Sequence, residues 1–298
     1  MRMDRPDLDL LRGAIDLHAH TGPALFHRLM DDAELARSAL EYGMRGFVLK
    51  DHDSLTVGRA YHLNKTFESI QAFGSIVLNR SVGGLNPHVV QAAIHYGAKI
   101  IWMPTNHSDW HIRYYETSDY PQLRRPRKQL SGTGLTVLDV DGQLKREVLT
   151  ILELVAEADV CLATGHLSPQ ETRALLDEAI RRGVRKFLVT HANWALTRYN
   201  IEEQKEFIAK GAFVEYVALS CVSPIFYEQK PSELAQWIRE LGGHNLVLSS
   251  DLGQLSSPPH PEGLRMLLAA LLEEGVPFDA LARMMRENPA ALLNLKLE

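Results

Sequence analysis

The residues with obvious chemistry begin at Ile15-Asp16-Leu17-His18-Ala19-His20, an apolar run that delivers two histidines two positions apart. Side chains of an extended strand alternate faces, so His18 and His20 leave one face together, and a divalent cation can accept both imidazoles. Gly46-Phe47-Val48-Leu49-Lys50-Asp51-His52 repeats the pattern, with Lys50 and His52 two apart at the end of an apolar run. His107, His166, His191 and Asp251 each follow a further short apolar run. Imidazole and carboxylate suit zinc and similar borderline ions, and a catalytic site of this kind keeps one position open for water. Such an ion acidifies water and polarises a carbonyl or phosphoryl oxygen. Asp251, in Ser249-Ser250-Asp251-Leu252-Gly253, could hold the ion and accept a proton from attacking water. Its plainer role is a helix N-cap.

These groups need a scaffold that collects strand ends. Apolar runs predict strands near 14–19, 46–50, 75–78, 99–103, 160–163, 186–190, 212–217 and 245–249. Helical patterns cover about 33–42, 57–72, 87–96, 145–157, 169–182, 201–210, 232–241, 262–274 and 278–287. Asn86-Pro87 reads as N-cap and N1, and Ser168-Pro169-Gln170-Glu171 as a capping box with proline at N1. Strands alternating with helices imply a parallel sheet, and eight such units in one chain imply a (β/α)8 TIM barrel spanning 1–298. In that fold the active site lies at the C-terminal strand ends, where the histidines and Asp251 fall. An open doubly wound sheet is the rival, but no GxGxxG follows the first strand. Residues 105–144 break the rhythm after strand four. They are aromatic and basic (Trp110, His111, Arg113, Tyr114, Tyr115, then Arg124, Arg125, Arg127, Lys128), with an Asp141-Gly142 turn in a small hairpin. Such an insertion reads as a lid, whose Arg113, Tyr114 and Tyr115 could clamp substrate.

Composition narrows the partners. The 298 residues are 45% hydrophobic and 23% charged, ordinary for a globular protein able to bury a core without disulfides. The cysteines, Cys161 and Cys221, lie far apart, which fits a reducing cytosol. A net charge of −5 gives nucleic acid and anionic membranes nothing to bind. No apolar stretch approaches the ~20 residues of a membrane span, and Met1–Arg12 carries no signal-peptide core. The expectation is a cytoplasmic protein acting on a small molecule, with room for homo-oligomers. His62, His88 and His95 fall in helices and read as surface groups. His27 and Arg28 read as a solvated loop more than as pocket wall, and Glu215 as a residue behind the site or in a barrel layer.

The segments IDLHAH (15–20), TGHLS (164–168), VTHANW (189–194), SSDLG (249–253) and ENPAALLNL (287–295) together resemble the amidohydrolase superfamily. The resemblance implies a metal-dependent hydrolase on a distorted TIM barrel, with His18, His20 and Asp251 on one ion and His166 and His191 on a second. That family commonly bridges two ions with a carboxylated lysine or a glutamate on strand four. Here strand four offers Thr105, Asn106 and His107, and the lysine at a strand end is Lys50. Lys50 could bridge as a carbamate, pair with Asp51 or Asp53, or bind a substrate anion. DLHAHT (16–21) and KDHDSLTVG (50–58) also resemble the PHP phosphoesterases, which implies His52 as a metal ligand. Without a bridge one ion is held, otherwise two, zinc or manganese. The leading expectation is hydrolysis of an amide, cyclic amide or lactone-like bond. The alternatives are a PHP-like phosphoesterase and an inactive metal- or ligand-binding barrel.

Overall fold

The computed structural model describes residues 5–116, 133–197 and 199–296. Its centre is one sheet of eight parallel strands in sequential order: β1 (Ile15–Ala19), β2 (Gly46–Leu49), β3 (Gln71–Val77), β4 (Ile100–Trp102), β5 (Cys161–Ala163), β6 (Phe187–Val189), β7 (Phe213–Val217) and β8 (Leu246–Ser249). The strands read as continuous apolar runs because both sheet faces are buried. Alternate residues, among them Leu17, Val48, Ile100, Trp102, Leu188 and Val247, fill the barrel interior. The others pack against the surrounding helices. This is the predicted (β/α)8 barrel.

The helices are α1 (Pro6–Leu11), α2 (Asp32–Glu41), α3 (Val57–Thr66), α4 (Pro87–Tyr96), α5 (Asp109–Tyr115), α6 (Arg146–Ala158), α7 (Pro169–Arg181), α8 (Ile201–Ala209), α9 (Leu219–Val222), α10 (Pro231–Leu241), α11 (His260–Glu273), α12 (Phe278–Ala282) and α13 (Asn288–Leu292). Capping chemistry sets many starts. Asp31 with Glu34, Ser168 with Glu171 and Asn200 with Glu203 close reciprocal boxes, and Asn86 accepts from the His88 N–H. Several elements depart from the sequence pattern. The helix expected over 57–72 stops at Thr66, because Gln71–Gly74 pair with β2. Residues 6–11 and 219–222 are helical, and a π turn (Arg283–Glu287) joins α12 to α13. The 136–142 hairpin is one bridge, Leu138 to Leu144, around Gly142 at φ 76°. Within the insertion, 109–115 form α5, while Arg124, Arg125, Arg127 and Lys128 lie outside the described residues. Among the described residues no helix is long and apolar enough to cross a membrane.

The β1–β8 seam is what assembles the site. The Asp251 N–H donates to the His18 carbonyl at 2.8 Å, and the His20 N–H donates to the Leu252 carbonyl at 3.1 Å. Between Asp16 and Ala19 the β1–β2 register slips by one residue. This bulge turns His18 inward, although its neighbour Leu17 already faces the interior. The Asp16 carboxylate fills the gap, accepting the N–H groups of His18 (3.0 Å) and Ser250 (2.9 Å) through Oδ1.

At the other end of the barrel, Asp7 accepts from Arg5 (2.7 Å) and Arg265 (2.7 Å) and ties α1 to α11. Hydrogen bonding from Arg5, reinforced by Arg265, holds the Asp7 carboxyl well below its usual range. Its stabilisation is therefore complete above the unfolded-state value near pH ~4 and is lost as pH falls through the lower folded value. Asp7→Asn is expected to cost about 1–2 kcal/mol at pH 7, discounted because Arg5 is partly solvated. Urea melts of both proteins at pH 7 and pH 3 check this: the gap should shrink at the lower pH, and a constant gap would contradict it.

Candidate metal centre

Every sequence-predicted ligand sits at the C-terminal end of the barrel and is buried. The five imidazoles form a closed circuit. Ring centroids are separated by 5.2 Å from His18 to His20, 4.8 Å to His52, 6.3 Å to His166, 4.9 Å to His191 and 5.9 Å back to His18. Asp251 reaches in from β8, its Oδ1 lying 2.9 Å from His18 Nε2 and 3.0 Å from His20 Nε2. His18, His20 and Asp251 are thus positioned to share a metal ion. Asp251 does not cap a helix; it stands at φ 53°, and His191 at φ 33°, both in the left-handed region that costs non-glycine residues energy. Two glycines allow the approach. A Cβ on Gly165 would lie 2.3 Å from the Met103 carbonyl oxygen, and one on Gly253 would lie 2.0 Å from that of His20.

The hydrogen bonds decide which nitrogens carry protons. His20 Nδ1 is 2.8 Å from the Lys50 carbonyl, which can only accept, so Nδ1 is protonated. Burial pushes the His20 pKa well down, so the ring is neutral and its Nε2 presents a lone pair. That lone pair faces a carboxylate oxygen at 3.0 Å: two acceptors converge. Burial would raise the Asp251 carboxyl, but the charge on His18 holds it well below its usual value, so it does not supply the missing proton. His191 tells the same story. Thr197 donates its hydroxyl to the His191 carbonyl, so the ring Nδ1–H donates to Thr197 Oγ1 at 2.9 Å. Nε2 is left as a buried atom without a hydrogen-bond partner. Burial likewise holds His52, His166 and His191 neutral. A neutral His20 lone pair set against a carboxylate, with the His191 Nε2 buried and unpartnered, fits a borderline divalent cation and leaves a proton network incomplete.

Lys50 is buried, with Nζ 2.9 Å from His18 Nε2 and 4.2 Å from the Trp102 ring centroid. Burial lowers its pKa to about 8. One ring nitrogen cannot serve both this amine and Asp251, so His18 Nε2 is where the local charge balance is unresolved. Burial is the largest influence and opposes a proton on His18, as does Lys50, yet Asp251 and Glu215 together outweigh them and the pKa is raised. Asp51, one of the partners considered for Lys50, meets Arg59 at 3.2 Å and accepts from Ser54.

Three residues matter more than their sequence signal suggested. Glu215, inward on β7, lies 3.2 Å from His18 Nδ1 and accepts the His191 N–H at 3.1 Å. It stands behind two of the predicted ligands at once, where a metal site commonly places a carboxylate. Only a lone acidic residue in an apolar strand could have pointed to it. His111, on α5, stacks on His166 at 5.0 Å, with their Nδ1 atoms 2.9 Å apart. The insertion therefore plants an imidazole behind a site histidine. Arg28 lines the site cavity, not a solvated loop, whereas His27 is exposed. His107 stays half-buried and its N–H donates to Asn79; His62, His88 and His95 are exposed, as expected.

The cavity above Asp251 is narrow, about 20 Å³, between His20, His52, Arg28, Trp194 and Phe226. A wider depression of about 730 Å³ lies at the opposite barrel end around Arg12, Arg45 and Arg286. It gathers no ligand set and sits at the end of the barrel that governs stability.

Comparison with solved structures finds the same barrel throughout. An amidohydrolase from Pseudomonas aeruginosa aligns at TM-score 0.66 and 12% identity over 98% of both chains. A lactonase from Listeria monocytogenes aligns at 0.61 and 13%, covering 98% of this chain and 97% of that one. An organophosphorus hydrolase variant from Deinococcus radiodurans aligns at 0.59 and 13%, covering 94% and 92%. The fold is thus the one that the sequence resemblance implies. Comparison with curated proteins finds no match. Residues 13–215 match the model described as a family of unknown function, DUF6282, and the chain belongs to that family.

Proposed function

We propose that this chain is a metal-dependent hydrolase that cleaves an amide, cyclic amide or lactone-like bond in a small molecule. The observation that carries this is the convergence of the His18 and His20 Nε2 atoms on Asp251 Oδ1, beside the unpartnered His191 Nε2. His18, His20 and Asp251 would hold one ion, zinc or manganese; His166 and His191 would hold a second, with His52 stacked beside His20. A bound ion supplies Lewis acidity, which acidifies water and polarises the substrate carbonyl. Asp251 takes the proton of the attacking water and passes it to the leaving group. Glu215 and the Lys50 carbonyl fix which nitrogens of His18 and His20 face inward. Trp194, 5.0 Å from the His191 ring, walls the site from water on the β6 side. Lys50 as a carbamate would add a carboxylate between the ligand sets; as an ammonium it would face developing negative charge.

Chelation is expected to abolish turnover of a panel of small amides, cyclic amides and lactones, and added zinc or manganese to restore it. Full activity in metal-free protein would end this reading. The close stacking of His52 on His20 favours a second reading, a phosphoesterase with the same ligands. Turnover of aryl phosphates, with amides and lactones untouched, would select it.

A further inference from the structure

We propose that Asn79 and Thr105 are a positioning pair that fixes His52 as a hydrogen-bond donor, so that His52 stands beside the metal ligands without being one of them. What this does for the reaction rests on the hydrolase reading; the protonation of the ring rests on the two polar side chains behind it.

His52, Asn79 and Thr105 follow β2, β3 and β4, three neighbouring strands, and all three are buried. The Asn79 amide can be oriented in one way. Its Oδ1 accepts the backbone N–H of Thr105 at 2.9 Å and that of His107 at 3.3 Å, groups that only donate. Its Nδ2 donates to the His52 carbonyl at 2.9 Å, which only accepts, and to Thr105 Oγ1 at 2.7 Å. The Thr105 oxygen is thus an acceptor toward Asn79, and its own proton has to go elsewhere. The one other hydrogen bond that this hydroxyl makes among the described residues is to His52 Nδ1, at 2.8 Å. Thr105 therefore donates, Nδ1 accepts with its lone pair, and the ring proton sits on Nε2. The reverse polarity, an Nδ1–H donating to Thr105, would leave a fully buried hydroxyl hydrogen without an acceptor, which disfavours it by about tenfold or more. A second ring proton would not alter the outcome, because the imidazolium also carries an Nε2–H.

Other rings of the site are set the opposite way. The Thr197 hydroxyl is spent on the His191 carbonyl, so it accepts from His191 Nδ1 and leaves a lone pair on Nε2. The Lys50 carbonyl does the same for His20. Two threonines thus face two histidines with opposite polarity, and the difference is set by Asn79. His52 stacks on His20 at 4.8 Å, yet His20 offers a cation a lone pair and His52 offers an N–H. On this reading the part that the PHP resemblance implies for His52, a metal ligand, is not filled. An N–H suits instead an oxygen that gains negative charge, as a carbonyl oxygen does when water attacks it.

NMR spectra of the full chain labelled at its histidine ring nitrogens, metal-free and zinc-loaded, read the tautomer directly, with His52 assigned by its loss in His52→Gln. In wild type His52 is expected to show a protonated Nε2 and an unprotonated Nδ1 in both states. Thr105→Val should let the Nδ1–H form appear, whereas Thr105→Ser, which keeps the hydroxyl, should not. A tautomer unchanged in folded Thr105→Val makes Thr105 merely structural and overturns the proposal. Competitive chelator titration should give His52→Gln a zinc affinity within about threefold of wild type, while His20→Gln should lose about tenfold or more. A loss as large in His52→Gln overturns the proposal. So does a wild-type His52 whose Nε2 is unprotonated, or loses its proton when zinc is added, and neither result needs any variant to fold. The two readings fail separately. An Nε2–H on His52 in a protein that binds no zinc, or that turns over no amide or lactone, leaves the inference standing and removes the hydrolase; metal-dependent turnover with His52 holding zinc through Nε2 does the reverse.

Discussion

Asp251→Asn is expected to lower turnover by about 10³-fold or more and to strip bound metal in parallel, while leaving the metal-free protein at least as stable as wild type. The catalytic loss follows from removing both a ligand charge and the proton acceptor. The stability expectation is less obvious and comes from the hydrogen bonds. In wild type the carboxylate oxygen faces two imidazole nitrogens at 2.9 and 3.0 Å. At His20 that nitrogen is a lone pair, because the ring proton is spent on the Lys50 carbonyl. An asparagine amide can turn its N–H toward this lone pair and relieve the conflict without a cation. Metal analysis, turnover and thermal melts of chelated protein test all three parts. A variant that keeps wild-type metal content would remove Asp251 from the ligand set.

Glu215 offers the second large effect, in a residue that never contacts substrate. Glu215→Gln keeps the shape, and an amide oxygen in the place of Oε2 still accepts from both the His18 ring and the His191 N–H, but the negative charge behind the two imidazoles is lost. Metal affinity is expected to fall by roughly 10–100-fold, the usual cost of losing the carboxylate behind a ligating histidine. Glu215→Leu should add a structural penalty, since two buried donors lose their acceptor at roughly 1–3 kcal/mol each. At a few degrees per kcal/mol, its melting temperature should drop by about 5 °C or more. Competitive chelator titrations and calorimetry measure the two effects. Wild-type metal affinity in Glu215→Leu would make Glu215 a barrel-layer residue and nothing more.

The two variants mark the border between what could be read along the chain and what could not. Asp251 announces itself, as an acid at the end of an apolar run with glycine two residues on. Glu215 looks like any polar residue in a strand. Its importance comes from barrel closure, which sets β7 just beyond β8 from β1 so that inward side chains of the two meet, a contact spanning 197 positions. His111 was hidden for a related reason: nothing local distinguishes an imidazole in an aromatic insertion from one that stacks on His166. Arg28 read as loop because it follows the His18-to-Pro23 turn, and only the tertiary structure, where its backbone bridges to Gln254, sets it at the cavity. For Lys50 the sequence left open a bridging carbamate, a pairing with Asp51 or Asp53 and a substrate anion; Asp51 meets Arg59, from the following helix.

What the sequence determined by itself was the eight-fold alternation of strand and helix, the placement of ligand-type side chains after β1, β2, β5, β6 and β8, and the capping boxes that start α2, α7 and α8. These are local matters of periodicity and of a side chain reaching its own backbone. What only the tertiary structure decided was which lone pairs meet. The bulge in β1 turns His18 inward, and the β8 backbone locks onto His18 and His20. Buried carbonyls and carboxylates then dictate the protonation of each ring. Those constraints come from residues far apart in the chain, whose polar groups had to find partners once the closing barrel excluded water.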